Sequence, residues 1–169
     1  KVVHGKLDAK TLKKISPDWV VVAVGGKPKG MEGPGFDDRK VISAWDALSG
    51  KKPVGKRVVI IGGGQVGLET AHFLQEKEKQ VTVLEMLKRA GQDMSARARK
   101  LILEKLIQGG VEILTEAKVL SVEKGDVVFN RAGLMETIRG MDSIVIAVGT
   151  ASQDAGIQAL RRSRIPVRR

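Results

Sequence analysis

The chain has no cysteine and no tyrosine, and only three phenylalanines and two tryptophans in 169 residues. Without cysteine it can hold no disulfide, no thiolate metal site and no redox-active dithiol. Two histidines, His4 and His72, are too few and too separated to suggest a metal site, and both suit surface positions. An aromatic content of 3% argues against a base-stacking nucleic-acid platform. No apolar run approaches the roughly 20 residues of a membrane-spanning helix, and no secretory signal pattern opens the chain. A cytoplasmic protein with no membrane partner is expected. The chain starts at Lys1 rather than Met, which predicts an excised or processed piece.

What is present is charge and apolar residues. A 42% apolar content supports a core, and the length suits one domain or one domain with partial flanks. The formal net charge of +11 resembles a polyanion binder's until it is divided along the sequence. Residues 1–60 carry 13 basic and 6 acidic side chains, residues 61–140 carry 12 and 11, and residues 141–169 carry 5 and 2. The centre is close to neutral, so the excess belongs to the flanks. That distribution favours flanks that pack on another domain or bind acidic partners over nucleic-acid binding.

The neutral centre holds the informative pattern. An apolar run, Arg57 to Ile61, opens into Gly62-Gly63-Gly64-Gln65-Val66-Gly67, an amphipathic segment follows, and a second run, Gln80 to Leu84, ends at Glu85. This is the sequence form of a βαβ dinucleotide-binding unit. Gly62 permits the tight turn, Gly64 lets the backbone approach a pyrophosphate, and Gly67 lets the helix pack on its strand. A helix starting near Gln65 and Val66 offers unpaired N–H groups and its positive dipole end to phosphates. Glu85 lies 23 residues after Gly62, near the spacing of about 20 for the acid that binds an adenosine ribose. A carboxylate there repels a 2′-phosphate, so NAD(H) is favoured over NADP(H). Lys88 and Arg89 follow at once and suit either a 2′-phosphate contact or a solvated loop.

Around this unit, Asp8 to Ile15 is expected as a short helix capped by Asp8, and Trp19 to Val24 as a buried strand. Gly25 to Gly30 ends that strand, a Gly/Pro/Asp-rich loop spans 31–40, and Val41 to Leu48 is an apolar stretch with a helical turn. Ser49 to Lys56 suits a surface connection and a domain boundary. Further on, Ala96 to Gln108 shows a helical stripe formed by Leu101, Ile102, Leu106 and Ile107, stopped by Gly109 and Gly110. Val111 to Thr115 is a third strand. Lys118 to Glu123, Asp126 to Asn130 and Met135 to Arg139 form an antiparallel meander, and Ser143 to Gly149 ends the series as a buried strand. The segments Val20 to Gly25 and Ile144 to Gly149 share one form, Val/Ile-rich and closing in Ala-Val-Gly.

This order resembles the tandem flavoprotein reductases, in which an NAD(P)H domain is inserted within an FAD domain and each closes on an Ala-Thr-Gly-type strand. Gly25 to Pro28, Val41 to Asp46, Gly55 to Thr70 and Val83-Leu-Glu-Met86 are most similar to the C-terminal region of NADH:flavin oxidoreductases related to old yellow enzyme. That branch includes 2,4-dienoyl-CoA reductase, 2-enoate reductase and trimethylamine dehydrogenase. The resemblance covers roughly residues 1–150. It implies an α/β fold with a Rossmann-like parallel sheet and an antiparallel β-meander, flanked by partial FAD-domain segments. Residues 1–49 would be one such segment with a linker, 50–150 the NAD(H)-binding domain, and 151–169 a basic C-terminal segment.

By the same resemblance Glu69 lies beside the nicotinamide end, although it equally suits an acid drawn to the first helical turn by the dipole. Val148 and Gly149 line the nicotinamide side, and Met86 and Arg89 follow the ribose acid. The FAD fingerprint, the final flavin motif, the FMN barrel and the iron–sulfur cysteines are not in this sequence. The implied role is to bind the nicotinamide dinucleotide for hydride transfer to FAD, with the FAD and FMN domains of a parent enzyme as partners. No residue presents itself as a catalytic general acid, and no FAD binding is expected of the chain alone. A standalone nucleotide-binding or regulatory module and a basic phosphate-ligand domain are the competing readings.

Overall fold

The run Arg57 to Ile61 is apolar at nearly every position because both faces of its strand are covered. The computed structural model describes residues 2–5, 8–153 and 167–168. Of the expected basic segment 151–169, residues 154–166, with Arg161, Arg162 and Arg164, and Arg169 lie outside the described residues. Two compact units form, one from residues 1–27 with 151–169 and one from 28–150. The described elements in chain order are α1 (Ala9–Ile15), β1 (Val20–Val21), β2 (Gly26–Pro28), β3 (Val41–Ser43) and α2 (Ala44–Leu48). Next come β4 (Arg57–Ile61), α3 (Gln65–Gln75), β5 (Gln80–Leu84), α4 (Ala96–Gln108) and β6 (Glu112–Leu114). They continue with β7 (Ala117–Glu123), β8 (Asp126–Arg131), β9 (Leu134–Ile138), β10 (Ser143–Ile146), β11 (Thr150–Ser152) and β12 (Val167–Arg168).

In the larger unit a five-stranded parallel sheet has the order β3-β10-β4-β5-β6. Alternation along each strand sends side chains to opposite faces. Val58 and Ile60, with Val81, Val83 and Val145, face the helices and pack with Leu68, Ala71, Leu74 and Leu106. Val59 and Ile61, with Leu84, Ile144 and Ile146, face the meander and pack with Val119, Val122, Val127 and Phe129. The meander is a three-stranded antiparallel sheet, β7-β8-β9. The result is three layers: helices, parallel sheet, antiparallel sheet. This is the α/β architecture with a meander that the sequence pattern predicts.

Two local expectations need correction and a third is extended. Trp19 to Val24 is not a buried strand: only Val20 and Val21 are strand, and Val21 and Val24 are 76% and 56% exposed. Val20 packs only with Leu12 and Val22, so that unit offers no second layer among the described residues. In α4 the packed stripe is buried Leu106 with half-buried Ile102 and Leu103, while Leu101 and Ile107 are exposed, because i, i+3, i+4 spacing sets the packed face. Val41 to Leu48 holds the expected helical turn as α2 and adds the short strand β3 before it. Ser43 is the hinge, its Oγ accepting from Asp46 N–H at 3.0 Å. Asp8 caps α1 as expected, accepting from Thr11 N–H at 2.8 Å.

The two central strands are tied at their entry by Asp142, one residue before β10. Its Oδ2 accepts from the N–H groups of Arg57 (2.8 Å) and Lys56 (3.1 Å) at the start of β4. The Arg57 backbone bond is the main reason its carboxyl sits below the ordinary value, with the Arg57 charge adding to it. A lowered folded value means the contribution is fully present above the ordinary carboxylate range and is lost as pH falls through that lowered value. Urea melts between pH 6 and 2.5 should therefore show a stability loss in the most acidic part of the range. In Asp142→Asn that part of the loss should shrink.

Candidate functional site

β4 leads to β5 on one side, while β10 packs on its other side, so their carboxyl ends form a topological switch point, the usual ligand crevice of an open α/β sheet. Gly62 follows β4 with φ +106°, and a Cβ there would lie 2.6 Å from the Ala147 carbonyl oxygen just past β10. A side chain at Gly67 would overlap the Gly62 carbonyl oxygen. Both positions therefore demand glycine, one for the turn and one for the helix–strand approach. α3 then begins at Gln65 with Gly64 as its N-cap and no side-chain cap of its own.

Glu85, only 7% exposed, clamps this turn. Its Oε2 accepts from Gly63 N–H at 2.6 Å and its Oε1 from Leu87 N–H at 2.8 Å. Each oxygen keeps acceptor capacity beyond its backbone bond. The segment after Glu85 is fixed elsewhere too: Gly91 N–H donates to the Gly63 carbonyl at 2.7 Å, and Arg99 Nε to the Ala90 carbonyl at 2.6 Å. At the other end of that segment Gln65 N–H donates to both carboxylate oxygens of Asp93, each at 3.0 Å.

A cavity of about 580 Å³ opens at this switch point, within the range of small-molecule sites. The structure brings Gly62, Gly63, Gly64, Gln65, Val66, Glu85, Met86, Arg89, Val148 and Gly149 to its wall. Gly67 lies buried behind the wall, where it sets the helix against β4. Glu69 does not line the cavity. It sits beyond the first turn of α3, which holds no acid, and its Oε1 accepts from Gln65 Nε2 at 2.9 Å. The first-turn dipole reading of Glu69 therefore does not hold. Sequence reasoning missed Met31, Asp93, Lys118 and Val119, all on the wall. They come from a loop or from the meander, and no local motif announces them. The pairing of Glu116 and Ala117 N–H with the Leu87 and Glu85 carbonyls brings the start of β7, and hence Lys118, to the Glu85 end.

The sequence profile of the pyridine nucleotide-disulphide oxidoreductases matches residues 1–169. The chain belongs to that family. The NADH oxidase of Thermoanaerobacter brockii is 35% identical to it over 147 residues, covering 84% of this chain and 22% of the oxidase. The metal reductase of Desulforamulus reducens is 33% identical over 171 residues, covering 84% of this chain and 25% of the reductase. Among solved structures, a complex of 2-naphthoyl-CoA reductase superposes with a TM-score of 0.82 at 28% identity, covering 96% of this chain and 25% of that one. The family member described here thus spans about a quarter of the length of these proteins. Lacking cysteine, the sequence itself holds no redox disulfide.

Two substitutions test the local architecture. Gly67→Ala should cost about 1–3 kcal/mol or more, because the added methyl forces α3 off β4. Glu85→Ala should cost about 1–3 kcal/mol by leaving the Gly63 N–H without its acceptor. Urea denaturation of each variant measures these losses, and full stability in either would contradict the packing described.

Proposed function

We propose that this chain is the NAD(P)H-binding part of a flavin-dependent oxidoreductase and that it holds NADH for hydride transfer to FAD in the parent enzyme. The observation that carries the reading is one cavity at the β4–β10 switch point, lined by the N-terminus of α3 and by Glu85. The residues fit the dinucleotide. Val66, on the cavity wall, has its N–H ahead of the first intrahelical bond of α3, Leu68 N–H to Gly64 C=O, where it suits a pyrophosphate. Glu85 keeps acceptor capacity for ribose hydroxyls, and its charge disfavours a 2′-phosphate. Val148 and Gly149 stand at the far wall, where the nicotinamide would lie.

The bound nicotinamide supplies the hydride, and this chain's residues bind and orient it. In this reading residues 50–150 form the nucleotide domain, with 1–49 and 151–169 as segments of an FAD-type domain. The parent is of the enoate or dienoyl-CoA reductase kind related to old yellow enzyme. The pattern from Gly55 to Met86 and a 32% identity to the cinnamate reductase of Clostridium sporogenes support it.

Calorimetric titration with NADH, NADPH and FAD tests the proposal. NADH should bind measurably, NADPH more weakly and FAD not at all. Glu85→Gln, which removes the charge and keeps an acceptor for the turn, should narrow the difference between the two nicotinamide nucleotides. Tight FAD binding would overturn the assignment of the domain, and indifference to all three would overturn the site. An unchanged preference in Glu85→Gln would show that Glu85 is not the ribose ligand.

A further inference from the structure

The N-terminus of α3 already carries an anion from within the chain. Gly64 provides no side-chain cap, and the Gln65 N–H is instead bonded to both oxygens of Asp93, 28 residues away in sequence. A Cβ on Gly64 would lie 3.1 Å from Asp93 Oδ2, so the carboxylate also covers the glycine that admits a phosphate. Asp93 is exposed and lines the cavity. Its position is enforced from both sides. Upstream, Gly91 is bonded to Gly63 and Met94 N–H to the Gly91 carbonyl at 3.1 Å. Downstream, Met94 packs on the helix-side core and Ser95 caps α4.

We propose that Asp93 is a built-in competitor for the dinucleotide's pyrophosphate, and that its carboxylate sets the affinity of the site. The inference rests on the nucleotide reading above and adds a residue to it. A carboxylate satisfies a helix N-terminus for the same reasons that a phosphate does: it accepts N–H groups that have no partner, and it complements the positive dipole end. With Asp93 in place, one of those donors is taken and a negative charge stands where two more would arrive. Like charges a few ångströms apart at an exposed site repel by an amount approaching a tenfold change in binding. Binding therefore either displaces the Asp93 side chain from Gln65 or tolerates its charge, and both lower the affinity. The anchored backbone lets this happen by rotation of one side chain.

The test compares the full chain with Asp93→Asn by calorimetry with NADH, at low and at high salt. Asn keeps a carbonyl oxygen for the Gln65 N–H, so the helix cap and the melting temperature should be retained. NADH should bind Asp93→Asn about three- to tenfold more tightly at low salt, and the gain should shrink at high salt, where the repulsion is screened. Weaker or unchanged binding by a stably folded Asp93→Asn would overturn the proposal and leave Asp93 as a cap alone. A gain that persists undiminished at high salt would overturn the electrostatic basis. If neither chain binds NADH or NADPH, the nucleotide reading itself fails, a result distinct from binding that ignores the substitution.

Discussion

α3 can aim its N-terminus into the cavity only because Gly67 lies against the backbone of Gly62. That contact sets the separation of helix and strand. From it follow the depth at which Leu68, Ala71 and Leu74 reach the sheet, and the position of Gln65 and Val66 at the cavity wall. A helix held farther out would lose dispersion contact along its whole inner face, since close-packed interiors do not absorb a gap. Packing and binding geometry are thus fixed by the same pair of residues.

Glu85 adds a second coupling. Its carboxylate is buried, and its negative charge is held by backbone N–H groups from the glycine turn and from the loop after β5. Any group that meets this carboxylate in the cavity meets one whose position is set by the fold. That is how a surface-opening site obtains a rigid acid: the cost of burying the charge is offset by donors that the turn would otherwise leave unpaired.

Much of this was legible in the sequence, because the evidence for it is local. The glycine spacing, the apolar runs ending at Gly62 and Glu85, and the three short runs of the meander each report on neighbouring residues, and the elements form where expected. What was not legible depends on distant cover. Trp19 to Val24 has the composition of a buried strand, but among the described residues of its unit only Leu12 and Val22 join Val20 in an apolar cluster. Leu101 and Ile107 match a loose helical stripe, yet the sheet takes Ile102, Leu103 and Leu106. Asp93 and Lys118 reach the cavity through a loop anchored at Gly91 and a strand paired to Glu85 and Leu87, and nothing in their immediate sequence marks them. Glu69 shows the converse case, a position chosen by family likeness that lies one turn along α3 from the wall.

The order of the sheet also bears on how readily the chain folds. β4, α3 and β5 are consecutive and can associate as soon as they exist, and β6 extends them. β3 cannot join at that stage, because its sheet partner is β10, with Val41 opposite Ile144 across 103 residues. The earliest segment of the larger unit waits for nearly the last, and non-local pairings of this kind slow folding by the entropy of closing the loop. β10, paired to β3 on one side and β4 on the other, is the strand on which both the complete sheet and the crevice at its carboxyl end depend.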